Sequence, residues 1–194
     1  IIFNVYIKKI FMTLEKTPLC NFGEKAQDFN LKNIDENNYD LKSLMGEKGT
    51  LIMFICNHCP YVKAIAKEIS ETSEILKNYN INSISIMSND TKNYPEDSFE
   101  NMKTFAKKNK FNFPYLIDET QNVAKEFGAV CTPDFFGYNS DLELQYRGRL
   151  RALKNLTPVQ GSENELLKAM IAISDTGKGP QEQNPSMGCN IKWK

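Results

Sequence analysis

Two cysteines separated by two residues, Cys56 and Cys59, flank Asn57 and His58 in the run Ile55-Cys56-Asn57-His58-Cys59-Pro60-Tyr61-Val62. Such a pair holds two electrons as a dithiol and gives them up on closing a disulfide. Its reactivity depends on the local field. A free thiol, with a pKa of about 8.5, is only about 3% thiolate at neutral pH, whereas a helix N-terminus in a C-x-x-C motif brings the pKa to about 7 or below. The sole histidine, His58, stands between the sulfurs and can stabilise a thiolate as a hydrogen-bond donor or as imidazolium. Asn57 and Pro60 complete the supporting loop. A stabilised thiolate favours the dithiol and makes the disulfide more oxidising, within a known range of about −270 to about −120 mV.

The flanking pattern supplies that field. Residues 50–55 form an uninterrupted run of mostly bulky apolar side chains, which reads as a strand buried on both faces. From Pro60 the period becomes helical, with Val62, Ile65, Ala66, Ile69, Ile75, Leu76 and Tyr79 recurring three or four apart. Pro60 suits a first helical turn, where its missing N–H has no partner to lose. The cysteines therefore lie where unpaired N–H groups and the helix dipole favour an anion. This placement assigns Cys56, at the strand end, as the attacking thiolate and Cys59, one turn deeper, as the resolving thiol. A zinc site needs four ligands, but the histidine lies inside the motif and no second C-x-x-C exists, so neither metal nor other cofactor is expected.

Length and composition bound the rest. A chain of 194 residues fits one domain with a substantial core. The 24 basic and 24 acidic side chains cancel, which gives no electrostatic case for nucleic acid. Five cysteines, Cys20, Cys56, Cys59, Cys131 and Cys189, are an odd set with one close pair. That suits a redox protein of a reducing compartment better than a secreted disulfide scaffold, and points to the cytoplasm. The apolar opening, residues 1–11, is too short for a membrane span and lacks a small-residue cleavage site, so no membrane association is expected. A periplasmic location stays open if this opening is a targeting remnant, and Met12 is the favoured true start.

In chain order, residues 28–31 and 39–41 read as an N-terminal β-hairpin around Asp35-Glu36-Asn37-Asn38, and residues 41–45 as a helical turn closed by Gly46. Residues 82–88 form a second central strand. Asp97 and Glu100 have capping-box spacing for a helix carrying Phe99, Met102, Phe105 and Ala106. A short strand at 113–117, a small helix ending at Gly128 and an antiparallel pair at 135–138 and 142–147 follow. Ser162 and Glu165 form another capping box before a helix closed by Gly177, and residues 178–194 show no periodicity. Strands alternating with helices predict an α/β/α sandwich with a mixed sheet.

The C-N-H-C-P-Y-V run at 56–62, Cys131-Thr132-Pro133-Asp134-Phe135-Phe136, Tyr146-Arg147-Gly148 and the tail Pro185-Ser186-Met187-Gly188-Cys189-Asn190-Ile191-Lys192-Trp193 together resemble a bacterial family of thioredoxin-like redoxins in the AhpC/TSA superfamily. The resemblance implies a thioredoxin fold over residues 22–177, a poorly ordered extension over 1–21 and a tail over 178–194 docked on the domain. It also implies a Cys56/Cys59 redox pair, a cis peptide between Thr132 and Pro133 beside the sulfurs, and disulfides or thiols of proteins or small molecules as partners, with the reductant unspecified. Cys131 and Cys189 are candidates for additional redox roles. After Gly148 the chain departs from the family pattern, with Arg149-Leu150-Arg151 where acidic residues are common.

Two other functions compete. The superfamily includes peroxiredoxins, but these resemble one another in a threonine three residues before the reacting cysteine. Here those positions are Met53 and Cys56, leaving Arg147 or Arg149 as activating cations. A non-enzymatic interaction module on the same scaffold would tolerate loss of Cys56.

Overall fold

The structure is a computed structural model that describes residues 13–194. The readings of residues 1–11 as a targeting remnant and of Met12 as the start lie outside the described residues.

The elements run β1 (Leu14–Lys16), β2 (Asn30–Asn33), β3 (Asn38–Asp40), α1 (Leu41–Leu44), β4 (Gly49–Phe54), α2 (Pro60–Lys77) and β5 (Ile81–Met87). A 3₁₀ turn (Pro95–Asp97) precedes α3 (Phe99–Lys108), β6 (Tyr115–Ile117) and α4 (Asn122–Glu126). Then come β7 (Cys131–Thr132), β8 (Asp134–Asn139), β9 (Leu144–Tyr146), the small pair β10 (Leu153–Lys154) and β11 (Thr157–Pro158), α5 (Glu165–Thr176) and β12 (Met187–Asn190).

Among the described residues, seven strands form the central sheet in the order β3-β2-β6-β5-β4-β8-β9. β4 lies parallel to β5 and antiparallel to β8, while β2 and β3 form the expected N-terminal hairpin. Every β4 side chain is buried because both faces of the strand are covered. Leu51, Met53 and Ile55 enter the core shared with α2 and α5; Ile52 and Phe54 enter the other, with Val123, Ala124 and Phe127. Each such burial contributes about 1.5–3 kcal/mol relative to exposure. The result is the mixed-sheet α/β/α sandwich.

α2 begins at Pro60, with Cys59 in extended conformation as its N-cap. Val62, Ile65, Ala66 and Ile69 face the core, but Ile75 is 41% exposed and the face continues through Thr72, Ser73 and Leu76. Gly177 ends α5 with φ +73°, a left-handed conformation natural to glycine.

Local sequence signals placed several ends wrongly. α1 ends at Met45 in extended backbone; Gly46 is needed because a Cβ there would lie 2.3 Å from the Gly49 carbonyl oxygen. α3 is capped by Ser98 and α5 by Asn164, not by Asp97 and Ser162. The tail, without periodicity, nonetheless supplies β12, which pairs with β7 on one side and β1 on the other. β1 in turn gives part of the supposed loose extension a regular structure. Strands this short are set by their neighbours, not by their own pattern. Among the described residues, no helix is long and apolar enough to cross a membrane.

Candidate active site

Strand register brings the C-x-x-C loop to Thr132. Asp134 pairs with Phe54 at the end of β4, so the chain just before β8 must run beside the residues just after β4. The Thr132–Pro133 peptide there is cis. Cys56 Sγ lies 3.3 Å from Thr132 Oγ1, and Cys59 Sγ lies 3.0 Å from the Thr132 carbonyl oxygen. Cys189 pairs with Thr132 from the other side through β12, and its Sγ stands 3.1 Å from Cys59 Sγ. Two sulfurs thus meet Thr132 and the third meets Cys59, and all three cysteines are buried.

Asp97 fixes the loop that carries them. Its Oδ1 accepts from the backbone N–H groups of Asn57 (2.8 Å) and His58 (3.2 Å). Its Oδ2 meets His58 Nδ1 at 2.6 Å and accepts from Asn89 Nδ2 at 2.8 Å. The carboxyl is fully buried, so these bonds replace its water. Asn57 is held by Tyr115, whose hydroxyl donates to Asn57 Oδ1 at 2.9 Å, and donates in turn to the Glu96 carbonyl. His58 stacks on Tyr94 and its Nδ1 lies 3.9 Å from Cys56 Sγ. Donor atoms of Cys56, His58 and Asp97 lie within 4.8 Å of one another, but the short His58–Asp97 contact and the other donors on the carboxylate make this a hydrogen-bonded group.

The electrostatics bear unequally on the two sulfurs. Cys56 is pushed well above the ordinary thiol range by burial first, then by Cys59 and Asp97. Cys59 is held below it by its hydrogen-bonding contact with Cys189 first, then by that with Cys56, and the Val62 N–H in the first turn of α2 adds to the effect. Burial opposes this but is outweighed. Cys189 is raised by its hydrogen bond with Cys59 and then by burial, and Tyr115 by burial, so both keep their protons. In the reduced pair the surroundings of Cys59 favour the charged form more than those of Cys56.

The other candidates separate. Cys131 is buried and raised by desolvation, with its sulfur 3.5 Å from the Pro133 carbonyl oxygen. Half-buried Cys20 is pushed up to about 11 by desolvation. Arg147 pairs with buried Asp134 at 3.0 Å and donates to Gly128, while Arg149 pairs with Glu165 at 2.7 Å. A cavity of about 290 Å³ adjoins Pro133, lined in part by Tyr61, Ile65, Leu150, Leu153, Lys16 and Arg149. Sequence reading missed Asp97 as a site residue by taking it for a helix cap, and missed Asn89, Tyr94 and Tyr115. Nothing local in their surroundings marks them.

Comparison with known proteins agrees with this architecture. A conserved, uncharacterized protein of Geobacillus kaustophilus is 39% identical, with TM-score 0.89, covering 94% of this chain and 97% of that one. A hypothetical protein of Sinorhizobium meliloti 1021 is 31% identical, with TM-score 0.86, covering 94% and 99%. The thioredoxin domain of a thiol-disulfide oxidoreductase from Bacteroides vulgatus shares the fold at 14% identity, with TM-score 0.56, covering 65% and 86%. No curated protein sequence matches the chain. The AhpC/TSA family model matches residues 22–153, a stretch that contains Cys56, Cys59 and Thr132-Pro133. With that match over most of its length, on a thioredoxin-like fold, the chain belongs to the AhpC/TSA family.

Proposed function

We propose that the chain is a thiol–disulfide oxidoreductase whose reacting pair is Cys56 and Cys59. The observation that carries this reading is the approach of both sulfurs to Thr132, at 3.3 and 3.0 Å, at the head of α2. His58, Asn57, Pro60, Thr132 and Pro133 support the pair. Partners are disulfides or thiols of proteins or small molecules. The cavity beside Pro133 is lined by apolar side chains together with Lys16 and Arg149, a lining suited to part of such a substrate. The odd cysteine set supports a reducing, cytoplasmic setting.

In the reduced pair with one thiol ionised, the two sulfurs share the remaining proton. When it moves onto Cys59, Cys56 becomes the thiolate and attacks a substrate disulfide. A Cys56–substrate bond forms, the substrate S–S bond breaks, and the departing thiolate takes the proton. Cys59, anionic again, attacks Cys56 and expels the second substrate thiolate. Two electrons pass to the substrate and the Cys56–Cys59 disulfide remains. Thr132 Oγ1, 3.3 Å from Cys56 Sγ, can donate to the transient charge on Cys56, while His58 Nδ1 is engaged by Asp97 at 2.6 Å.

Direct peroxide reduction is less well supported, because Arg147 and Arg149 already pair with Asp134 and Glu165. The test is to mix the reduced protein with a model aromatic disulfide and, separately, with micromolar peroxide. Rapid reaction with the disulfide, a trapped adduct on Cys56 in Cys59→Ser and lost turnover in Cys56→Ser are expected. Faster oxidation by peroxide would overturn the reading in favour of a peroxidase, and unchanged function in Cys56→Ser would favour an interaction module.

A further inference from the structure

We propose that Cys189 is a third redox thiol, which takes over the bond to Cys59 and moves the disulfide from the active-site loop onto the C-terminal strand. This rests on Cys56 and Cys59 being the redox pair. Cys189 Sγ is 3.1 Å from Cys59 Sγ, roughly 1 Å beyond the disulfide bond length of about 2.05 Å. The residues are 130 apart in sequence, yet the contact is firmly built.

Four features of the tail hold it. Cys189 pairs with Thr132 on one side and Leu14 on the other. A Cβ at Gly188 would lie 2.0 Å from the Thr132 carbonyl oxygen, so the glycine lets β12 press against the residue that both active sulfurs touch. Asn190 N–H donates to the Thr13 carbonyl and Ile191 N–H to the Val130 carbonyl. Lys192 N–H donates to Asn89 Oδ1, and the same Asn89 side chain binds Asp97. The strand that presents Cys189 and the loop that carries Cys56 are therefore pinned to a common group. Cys131 pairs with Asn190, and its sulfur approaches the Pro133 carbonyl instead.

The step needs no external oxidant. Starting from the Cys56–Cys59 disulfide, Cys189 attacks the Cys59 sulfur. The Cys59–Cys189 bond forms, the Cys56–Cys59 bond breaks, and its electron pair leaves on Cys56, which takes the proton from Cys189. Closing the first disulfide removes the hydrogen bond with Cys59, the largest cause that raises Cys189, and the Cys59 charge with it, while Lys192 continues to favour its thiolate. The product stores the oxidising equivalent between α2 and β12 and frees Cys56 for a second substrate.

Tryptic mapping tests this, because Cys56 and Cys59 fall on one fragment, residues 49–63, and Cys189 on another, residues 179–192. Reduced wild type, Cys56→Ser, Cys189→Ser and Cys189→Ala are oxidised with an equimolar aromatic disulfide, acid-quenched, alkylated and digested at mildly acidic pH. Thermal melts check that each is folded. The proposal expects the 49–63/179–192 link in wild type and in Cys56→Ser, where only Cys59 can supply it. Both Cys189 variants should hold the Cys56–Cys59 bridge alone. An internal Cys56–Cys59 bridge in wild type, with the cross-link absent there and in Cys56→Ser, overturns the proposal. Absence of the internal bridge in both Cys189 variants instead defeats the Cys56/Cys59 pair itself.

Discussion

Asp97 Oδ2 lies 2.6 Å from His58 Nδ1, while Oδ1 of the same carboxylate accepts from the backbone of Asn57 and His58. One buried side chain from the turn before α3 thus holds both the path of the loop between the cysteines and the orientation of the imidazole within it.

Removing that carboxylate should loosen the loop and ease ionisation of Cys56. Asp97→Ala strands two backbone N–H groups and the Asn89 amide, and each orphaned group costs about 1–3 kcal/mol. A stability loss of about 3 kcal/mol or more is expected by denaturant unfolding. Asp97→Asn keeps acceptor capacity and should lose less. Because the Asp97 charge raises Cys56, its loss moves the alkylation profile of Cys56 to lower pH. A profile unmoved in Asp97→Asn would refute that coupling.

The reduced protein should carry one thiolate under conditions where an ordinary thiol is protonated. Donation from Cys189 is the largest cause holding Cys59 low. Absorbance at the thiolate band should therefore persist as pH falls below 7, and Cys189→Ala should move that titration upward, toward ordinary thiols. By linkage, the depressed Cys59 contributes stability above the unfolded thiol pKa and loses it as pH falls toward its folded value. Equal titration in wild type and Cys189→Ala would show that the sulfur contact does not matter.

Gly188→Ala should disturb the site from outside it. The new methyl would meet the Thr132 carbonyl oxygen at 2.0 Å, so β12 must shift. Overpacking of this kind costs about 1–3 kcal/mol. Thermal melting should fall accordingly, and Cys189 should become faster to alkylate in the folded protein. Wild-type stability and alkylation would mean that the tail approaches less closely than described.

Asp134 gives a pH signature of its own. Burial outweighs the Arg147 charge and pushes its carboxyl up to about 6. A carboxyl raised on folding contributes stability below its unfolded pKa, lost as pH rises through about 6. The size follows at about 1.4 kcal/mol per pKa unit, roughly 3 kcal/mol in all. Asp134→Asn, which stays neutral, should match wild type near pH 4 and equal or exceed it at pH 7. A variant that grows less stable than wild type as pH rises would contradict this balance.

Much of this was legible in local pattern. The apolar run of β4, the helical period from Pro60 and the cysteines between them are set by residues within a few positions of one another, and the structure keeps that order. Local pattern misled at Asp97, whose spacing to Glu100 suits a helix cap. With Ser98 able to cap α3, Asp97 is left to reach a loop 39 residues away. It was equally silent about β12, whose pairing depends on two partners distant in the chain.

The sequence by itself determined the α/β/α class, the strand-to-helix junction and the placing of Cys56, His58 and Cys59 in it, because periodicity and proline chemistry act over a few residues. Only the tertiary structure decided that Asp97 anchors the loop and that Cys189 touches Cys59. Those outcomes follow from burial and from contacts between segments 39 to 130 residues apart, which no local spacing encodes.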